Sequence, residues 1–404
     1  MNLEIRQQFP VLDQQINGRP LVYLDNAATV QKPLAVLETS RRYYSEINAN
    51  IHRGVHYLSR KATDAHEAAR TTIAKYLNAP HEHEIIFTSG TTDGINLVAD
   101  TLALSGKITS DDHILISGLE HHSNIVPWQM LCQRTGATLD VIPVTDSGEW
   151  DLTNIDALLT SKTKLVAVNQ VSNALGTINP IETVIKKAKA HGAWTLIDGA
   201  QSTPHMAIDL QAIDCDFFVF SGHKTYAPTG IGILWGRSEL LEMLPPWRGG
   251  GEMIKEVTFE KTTYNDLPFK YEAGTPNIEG GIALAAALTW MQDLGLDTIA
   301  AHENHLLKLA TEGLSDIEDI ILYGTAPHKA SVLSFGIKGV HHYDLGTLMD
   351  QMGVGVRTGH HCCQPLMQRF GITGTTRASF AIYNTEQEVD ALITAVKKAT
   401  MMLR

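Results

Sequence analysis

The sequence has 404 residues, 44% of them hydrophobic and 19% charged, which is typical of a globular protein with two or three domains. Its formal net charge of −12 disfavours nucleic acid and anionic lipid as partners, but leaves room for a local basic pocket that binds a small anion. Four cysteines, two of them adjacent, do not make a disulfide scaffold. Since the first ten residues contain no apolar signal core and no apolar stretch is long enough to cross a bilayer, we expect a soluble, cytoplasmic protein.

Short apolar strands alternate with helical patterns between about residues 60 and 240. This alternation predicts an α/β fold whose central sheet is mostly parallel, with helical crossovers on both faces. Ligands of such sheets bind at the carboxyl ends of the strands. The predicted strands lie within 84–90, 113–124, 139–144, 164–173, 194–201, 216–224 and 230–236, and the predicted helices within 92–104, 127–136 and 181–192.

The pattern changes after about residue 245, where an irregular loop or hairpin region extends to residue 277. One long helix or two follow at 281–314, and strands, helices and a loop at 356–365 complete a smaller α+β domain. We expect three parts: an N-terminal segment (1–20) that packs with the small domain, a large ligand-binding domain (21–290), and the small C-terminal domain (291–404).

Two polar residues follow apolar strands at the expected ligand-binding edge. Lys224 is the last residue of SGHK. A partly desolvated lysine at this position can lose its proton and form a Schiff base with an aldehyde. The alternative is a surface lysine at the end of a strand. Asp198 ends WTLID, where a carboxylate can pair with a protonated pyridine nitrogen or can be a helix cap or turn residue. Gln201, one turn further on, can donate a hydrogen bond to a phenolic oxygen.

SGTTDG (89–94) lies between a strand and a helix, where free backbone N–H groups and the hydroxyls of Thr91 and Thr92 can bind phosphate. Ser221 and His223 can add donors to the same anion. The segment matches neither of the two glycine-rich nucleotide-binding motifs, so it favours a single phosphate monoester. A plain threonine N-cap is the alternative.

Two loops carry histidine pairs. In LEHHSN (119–124) a histidine can lie flat on an aromatic cofactor and later move a proton. Alternatively, the pair can bind metal, or the segment can be a loop with no functional role. VRTGHHCCQP (356–365) predicts a mobile, exposed loop in which a cysteine flanked by histidines and Arg357 has its thiolate favoured electrostatically. Zinc is an alternative there, although no second, spaced ligand pair exists. Arg377, on a predicted strand, can bind a substrate carboxylate or form a structural salt bridge.

Taken together, these features resemble the fold type I pyridoxal-phosphate enzymes of the class V aminotransferase branch. They are most similar to the group II (Suf-type) cysteine desulfurases, also called selenocysteine lyase-like. The resemblance covers almost the whole chain, through YLDNAAT (23–29), NIHRGVH (50–56), GTTDGIN (90–96), EHHSNIVPWQ (120–129), DGAQ (198–201), SGHKTYAPTGIG (221–232), EAGTPN (272–277), RTGHHC (357–362) and RASFAIYNT (377–385).

The resemblance implies pyridoxal 5'-phosphate as the cofactor and a mostly parallel fold type I architecture with a small C-terminal domain. It implies that the cofactor is held by Lys224 as covalent anchor, Asp198 at the pyridine nitrogen, Gln201 at the phenolate, His121 on the ring, and Thr91, Thr92, Ser221 and His223 at the phosphate. Thr275 would reach the phosphate in a partner subunit, so a homodimer with shared sites is expected.

The resemblance also implies the reaction and its partners. L-cysteine, or L-selenocysteine, would bind through Asn173, Arg357 and Arg377. Lys224, Cys362 and His121 would be the catalytic residues, with a persulfide forming on Cys362. A separate SufE-like or SufU-like protein would accept the sulfur, as in iron–sulfur cluster assembly.

Two positions depart from the family pattern: Asp93 stands where glutamate is frequent, and Cys363 where alanine is frequent. The second raises the question of which thiol carries sulfur, and we expect Cys362. Selenocysteine lyase, aminotransferase and epimerase activities share the lysine and aspartate and are alternatives, as is an inactive relay scaffold or metal-binding module.

Overall fold

The computed structural model describes residues 2–404; Met1, the first residue of the expected N-terminal segment, lies outside the described part. The helices are α1 (Asn2–Arg6), α2 (Leu34–Arg42), α3 (Tyr57–Tyr76), α4 (Thr91–Leu104), α5 (Val126–Thr135), α6 (Ile155–Leu158), α7 (Ile181–Ala190), α8 (Leu210–Ile213), α9 (Ser238–Met243), α10 (Ile278–Leu294), α11 (Leu296–Ser315), α12 (His342–Gln351), α13 (Gln364–Arg369) and α14 (Glu386–Leu403). The strands are β1 (Gln15–Ile16), β2 (Arg19–Pro20), β3 (Val22–Tyr23), β4 (Ile85–Thr88), β5 (His113–Ser117), β6 (Thr138–Ile142), β7 (Thr163–Asn169), β8 (Trp194–Asp198), β9 (Phe217–Ser221), β10 (Gly232–Gly236), β11 (Ile254–Val257), β12 (Thr262–Tyr264), β13 (Ile320–Tyr323), β14 (Val332–Ile337), β15 (Val354–Gly355), β16 (Arg357–Gly359) and β17 (Thr375–Ser379).

The large domain is built on a seven-stranded sheet in the order β4-β10-β9-β8-β7-β5-β6. All neighbours pair in parallel except β10, which is antiparallel to both β4 and β9. The short connection from β9 to β10 explains the reversal, because a parallel return needs a crossover of a dozen or more residues. The carboxyl ends of β4, β5, β7, β8 and β9 therefore meet at one edge of the sheet.

Helices cover both faces of this sheet, as its side-chain alternation requires. On β5, Ile114 and Ile116 pack into one core with α4 and α5, whereas Leu115 between them packs into the other core with α7 and α10. The strands are thus buried on both sides, which agrees with their continuous apolar sequences. Within the described chain no helix is both long and apolar enough to cross a membrane.

The small domain carries a four-stranded antiparallel sheet in the order β13-β14-β17-β16. Leu306 of α11, Leu345 of α12 and Val396 of α14 pack against it through Leu333 and Phe335 of β14. The expected loop at 356–365 begins with β16 and ends in the first residues of α13, and only residues 360–363 between them form a turn. β16 thus aims the segment after Gly359 at the edge of the large sheet.

The N-terminal segment contacts both domains. Arg6 forms an ion pair with Glu388 of α14 at 2.9 Å, and the Phe9 ring packs against Trp290 of α10. Of the one or two helices expected at 281–314, the structure has two, separated at Gly295, whose φ of +84° is accessible to glycine at little cost. The expected boundary near residue 290 lies within α10, and it remains a prediction.

We predict that Gly232→Ala lowers the free energy of unfolding by about 1–3 kcal/mol, as overpacking of a tight interior usually does. A Cβ at this position of β10 would lie 2.4 Å from the Gly90 Cα and 2.7 Å from the Phe220 carbonyl oxygen. Thermal or chaotropic unfolding measures the effect. Gly249→Ala is the matched control, since a Cβ there meets no atom within 4 Å; equal stability of the two variants would contradict the packing argument.

Candidate active site

Twelve of the thirteen site residues predicted from the sequence line one cavity of about 280 Å³ at the carboxyl edge of the large sheet. They are Thr91, Thr92, His121, Asn173, Asp198, Gln201, Ser221, His223, Lys224, Arg357, Cys362 and Arg377. They come together because five of the six strands that end at this edge lead into them, and β16 brings the cysteine segment over it. Thr275 is the exception.

Lys224 and Asp198 place an amine and a carboxylate in the same desolvated cavity. Burial lowers the pKa of Lys224, and the negative charge of Asp198 opposes this shift. Burial likewise raises the pKa of Asp198, against the effects of the Ala200 N–H group, 2.9 Å away, and of Lys224. A surface lysine is excluded by this location, and the amine is easier to deprotonate than an ordinary lysine, as a nucleophile requires.

The amino end of α4 forms a polar cup on the cavity wall. Gly90, with φ +151°, is the residue before the helix and gives no side-chain cap, so the alternative of a threonine N-cap is wrong. The Thr91 N–H group is not free as expected, because it donates to Ser221 Oγ at 2.8 Å. The Thr92 hydroxyl and His223 border the same space, and burial lowers the His223 pKa to about 4, so this histidine is neutral at physiological pH.

His121 is oriented by a short hydrogen-bond chain. Its Nδ1 lies 2.8 Å from Ser123 Oγ and accepts from the Ser123 N–H group, while Ser123 Oγ lies 2.7 Å from Thr92 Oγ1. Burial, followed by the charge of Lys224, lowers the His121 pKa to about 3. The ring is therefore neutral, with Nδ1 as acceptor and its proton on Nε2.

Cys362 is exposed and is held in a left-handed backbone conformation, with φ +55°. Its N–H group donates to His360 Nδ1 at 3.0 Å, and its carbonyl oxygen accepts from the His122 N–H group at 2.7 Å. The His122 ring in turn accepts from the Gln364 N–H group at 3.1 Å. We call these three contacts the histidine clasp; because of it, the segment that carries the thiol is anchored to the large domain.

The adjacent Cys363 has the opposite environment. It is buried and donates from Sγ to Asn173 Oδ1 at 3.1 Å, and burial raises its pKa to about 12. Asn173 also donates to the His361 carbonyl oxygen at 2.7 Å, so it anchors the cysteine segment. His361 is buried against Thr375, and burial lowers its pKa to about 2, so the expectation that this histidine supplies positive charge to the thiol is wrong.

Arg357 and Arg377 share a carboxylate that the sequence prediction missed. Asp25 accepts from Arg357 Nε at 3.0 Å and Nη2 at 2.8 Å, and from Arg377 Nη2 at 3.3 Å. Arg377 also donates to the Asn173 carbonyl oxygen at 2.8 Å, while its buried Nε makes no hydrogen bond to the described residues. Arg377 thus forms a structural salt bridge, and its role toward a substrate carboxylate stays a prediction.

Thr275 lies in a separate cavity of about 250 Å³, together with Asp93 and Arg248. Asp93, one of the two departures from the family pattern, pairs with Arg248 at 2.9 Å rather than bordering the main cavity. In residues 2–404 no three histidine, cysteine, aspartate or glutamate side chains are grouped to hold a metal ion.

Comparison with known proteins identifies the family of the chain. The family model for aminotransferase class-V matches residues 22–392. The chain belongs to this family. A probable cysteine desulfurase from Vibrio cholerae is 50% identical to it over 404 residues, which is 100% of both chains.

Solved structures agree with this assignment. The cysteine desulfurase CsdA of Escherichia coli, in an S-sulfonic acid form, superposes with a TM-score of 0.92 at 40% identity, covering 99% of this chain and 98% of the other. An apo cysteine desulfurase from Thermococcus onnurineus gives 0.94 at 38% identity, covering 100% and 99%. These matches confirm the family and the fold class expected from the sequence.

We predict that a thiol-alkylating reagent modifies Cys362 of the folded protein first and Cys363 at least about a hundredfold more slowly at pH 8. Each pKa unit above the solution pH lowers the thiolate fraction tenfold, and Cys363 is also shielded from the reagent. Mass spectrometry of peptides after timed labelling measures both rates. In the denatured control the difference should disappear; equal rates in the folded protein would contradict the assignment.

Proposed function

We propose that this protein is a pyridoxal 5'-phosphate-dependent cysteine desulfurase that converts L-cysteine to L-alanine and retains the sulfur as a persulfide on Cys362. One observation carries the proposal: the exposed thiol of Cys362 and the desolvated amine of Lys224 line the same cavity. Transamination needs the amine but not the thiol. The relatives at 50% and 40% identity are themselves named as cysteine desulfurases, probable or established.

The donor set of the cavity fits pyridoxal phosphate. Lys224 provides the amine for the aldehyde, and Asp198 Oδ2, which makes no hydrogen bond to the described residues, suits a protonated pyridine nitrogen. The start of α4 with Thr92, Ser221 and His223 supplies donors for one phosphate group. His121 would contact the ring, and Gln201 its phenolic oxygen. When bound, the cofactor supplies an electron sink that acidifies the α-carbon of the amino acid.

Side chains of the protein carry out the other steps of the proposed reaction. The Lys224 amine takes the proton from the substrate Cα, which its lowered pKa permits. The Cys362 thiolate attacks the substrate sulfur: an S–S bond forms, the Cβ–S bond breaks, and its electron pair remains with the three-carbon fragment. A proton added at Cβ and another returned to Cα then give L-alanine. Arg377 binds the substrate carboxylate, since its Nε is buried and unpaired. Asn173 holds the cysteine segment in place.

The proposal extends to a homodimer, a sulfur acceptor and a cytoplasmic location. Thr275 lies outside the cavity of its own subunit, which agrees with a role at the cofactor phosphate of the partner. The β11–β12 hairpin carries a fully exposed Phe259, an apolar group suited to a subunit contact.

Because Cys362 is exposed, its persulfide is accessible to a SufE-like or SufU-like acceptor, as iron–sulfur cluster supply requires. All four cysteines are free, as in a reducing compartment.

We predict that brief exposure of the cofactor-loaded enzyme to L-cysteine adds one sulfur atom to Cys362 and releases one L-alanine per sulfur. Cys362→Ser should lower alanine formation at least about a hundredfold, as loss of a catalytic nucleophile does, while the cofactor absorbance still responds to L-cysteine. Peptide mass spectrometry and alanine assays measure these outcomes.

Cys363→Ser is the matched control, since Cys363 is buried beside the same loop. It should retain persulfide formation on Cys362. Sulfur found on Cys363, or a Cys362→Ser protein with normal persulfide transfer, would refute the proposed role; keto acid in place of alanine would indicate an aminotransferase.

A further inference from the structure

The carbonyl oxygen of His223 belongs to the peptide unit that leads into Lys224, and three donors converge on it. They are the Thr29 hydroxyl at 3.0 Å, the Val30 N–H group at 3.2 Å and the Lys32 amine at 3.0 Å. A carbonyl oxygen has two lone pairs, so this one is used beyond its ordinary capacity. All three donors come from four consecutive residues that shortly precede α2.

The short helical turn Gly222–Lys224 does not satisfy this carbonyl by itself. Its hydrogen bonds close through the Gly222 carbonyl, which accepts from two backbone N–H groups further along the chain at 2.8 and 3.0 Å. Within the described chain, the backbone N–H group that donates to the His223 oxygen is that of Val30 alone. The position of the peptide unit before the lysine therefore depends on contacts from outside the turn.

Lys32 is a half-buried cation whose partners in residues 2–404 are neutral oxygens. Besides the His223 carbonyl, its amine donates to the Val30 carbonyl and to the Thr29 hydroxyl, the latter at 3.4 Å. Burial lowers the pKa of Lys32 to about 8, so the amine is mostly protonated at pH 7. Because desolvation of an ammonium group costs free energy and the amino end of a helix disfavours a cation, local stability alone does not explain a lysine before α2.

Both residues joined by this peptide unit line the active-site cavity, whereas Lys32 lies behind them and does not line it. A shift of the Lys224 backbone moves its amine, and a misplacement of about 1 Å at a reacting group can cost about a hundredfold in rate. The charge of Lys32 also helps to lower the pKa of His223, after the larger effects of burial and of Lys224.

We propose that Lys32 is a positioning residue: its ammonium group holds the His223 carbonyl and thereby places the Lys224 amine where it can bond to the cofactor aldehyde. The inference rests on the proposed function, because it assumes that Lys224 binds pyridoxal phosphate. Lys32 acts through the peptide unit and is not itself a catalytic residue.

The test makes two measurements on the full chain. Stopped-flow absorbance follows how fast saturating pyridoxal phosphate bonds to Lys224 of the cofactor-free protein, and borohydride reduction with mass spectrometry confirms the residue. Hydrogen-exchange mass spectrometry follows the backbone of residues 221–228. Lys32→Met keeps the apolar stem but removes the charge and the donors, so it should slow bond formation and accelerate hydrogen exchange, each at least about tenfold.

Further variants separate positioning from a general disturbance. Lys32→Arg keeps a cation with several donors and should come within about threefold of the wild-type rate. Lys329→Met is the matched control, because Lys329 is also half-buried, donates to the Gly324 carbonyl and has its pKa lowered by burial to about 8, but lies outside the cavity. It should leave both measurements unchanged. Thr29→Val removes one donor to the same carbonyl and should slow bond formation about threefold, which keeps the test available if Lys32→Met fails to fold.

A wild-type rate in Lys32→Met, a slower rate without faster hydrogen exchange, or no recovery in Lys32→Arg would overturn the inference. Neither measurement involves L-cysteine. If the cofactor bonds to Lys224 but the loaded wild-type enzyme forms no L-alanine from L-cysteine, the desulfurase proposal fails while the role of Lys32 is still decided by the variants. If the cofactor does not bond to Lys224 at all, both are wrong.

Discussion

Desolvation of opposite charges at one edge of the sheet is the constraint on which the rest of the active site depends. Lys224 and Asp198 are both withdrawn from water, so the charged form of each is destabilised by burial and partly restored by the other. The two groups meet because β8 and its parallel neighbour β9 run to the same edge of the sheet.

Burial and an opposing charge also act on the two arginines of the cavity, Arg357 and Arg377. Arg377 is fully enclosed, and burial lowers its pKa, an effect that Asp25 opposes. The Asp25 carboxylate accepts hydrogen bonds from both guanidinium groups, and the Arg377 Nε remains unused. The Arg377 Nε is thus a buried donor that the carboxylate of the proposed substrate would satisfy.

Much of the site was predictable because polar residues that directly follow apolar strands of a parallel sheet meet at one edge, as Asp198 and Lys224 do. Features that depend on contacts between residues far apart in the sequence could not be predicted. Asp25 follows the two-residue strand β3, which pairs with β15 more than 300 residues later, so no local pattern shows its arginine partners. The protonation state of His361 depends on burial, which the sequence GHHC does not reveal. The buried face of helix α3 includes His66 and Arg70, and Ile73 and Tyr76 are its only large apolar residues, so its apolar pattern is weak.

The histidine clasp has a consequence for the sulfur transfer proposed above. Each imidazole in it contributes a lone pair to a backbone N–H group, and together they join the turn after β5 to the first residue of α13. With its backbone fixed on both sides, Cys362 is a stationary donor at the rim of the cavity and not the tip of a swinging arm. If a separate protein accepts the sulfur, as proposed above, it must therefore bring its own nucleophile to the place where the cysteine is held.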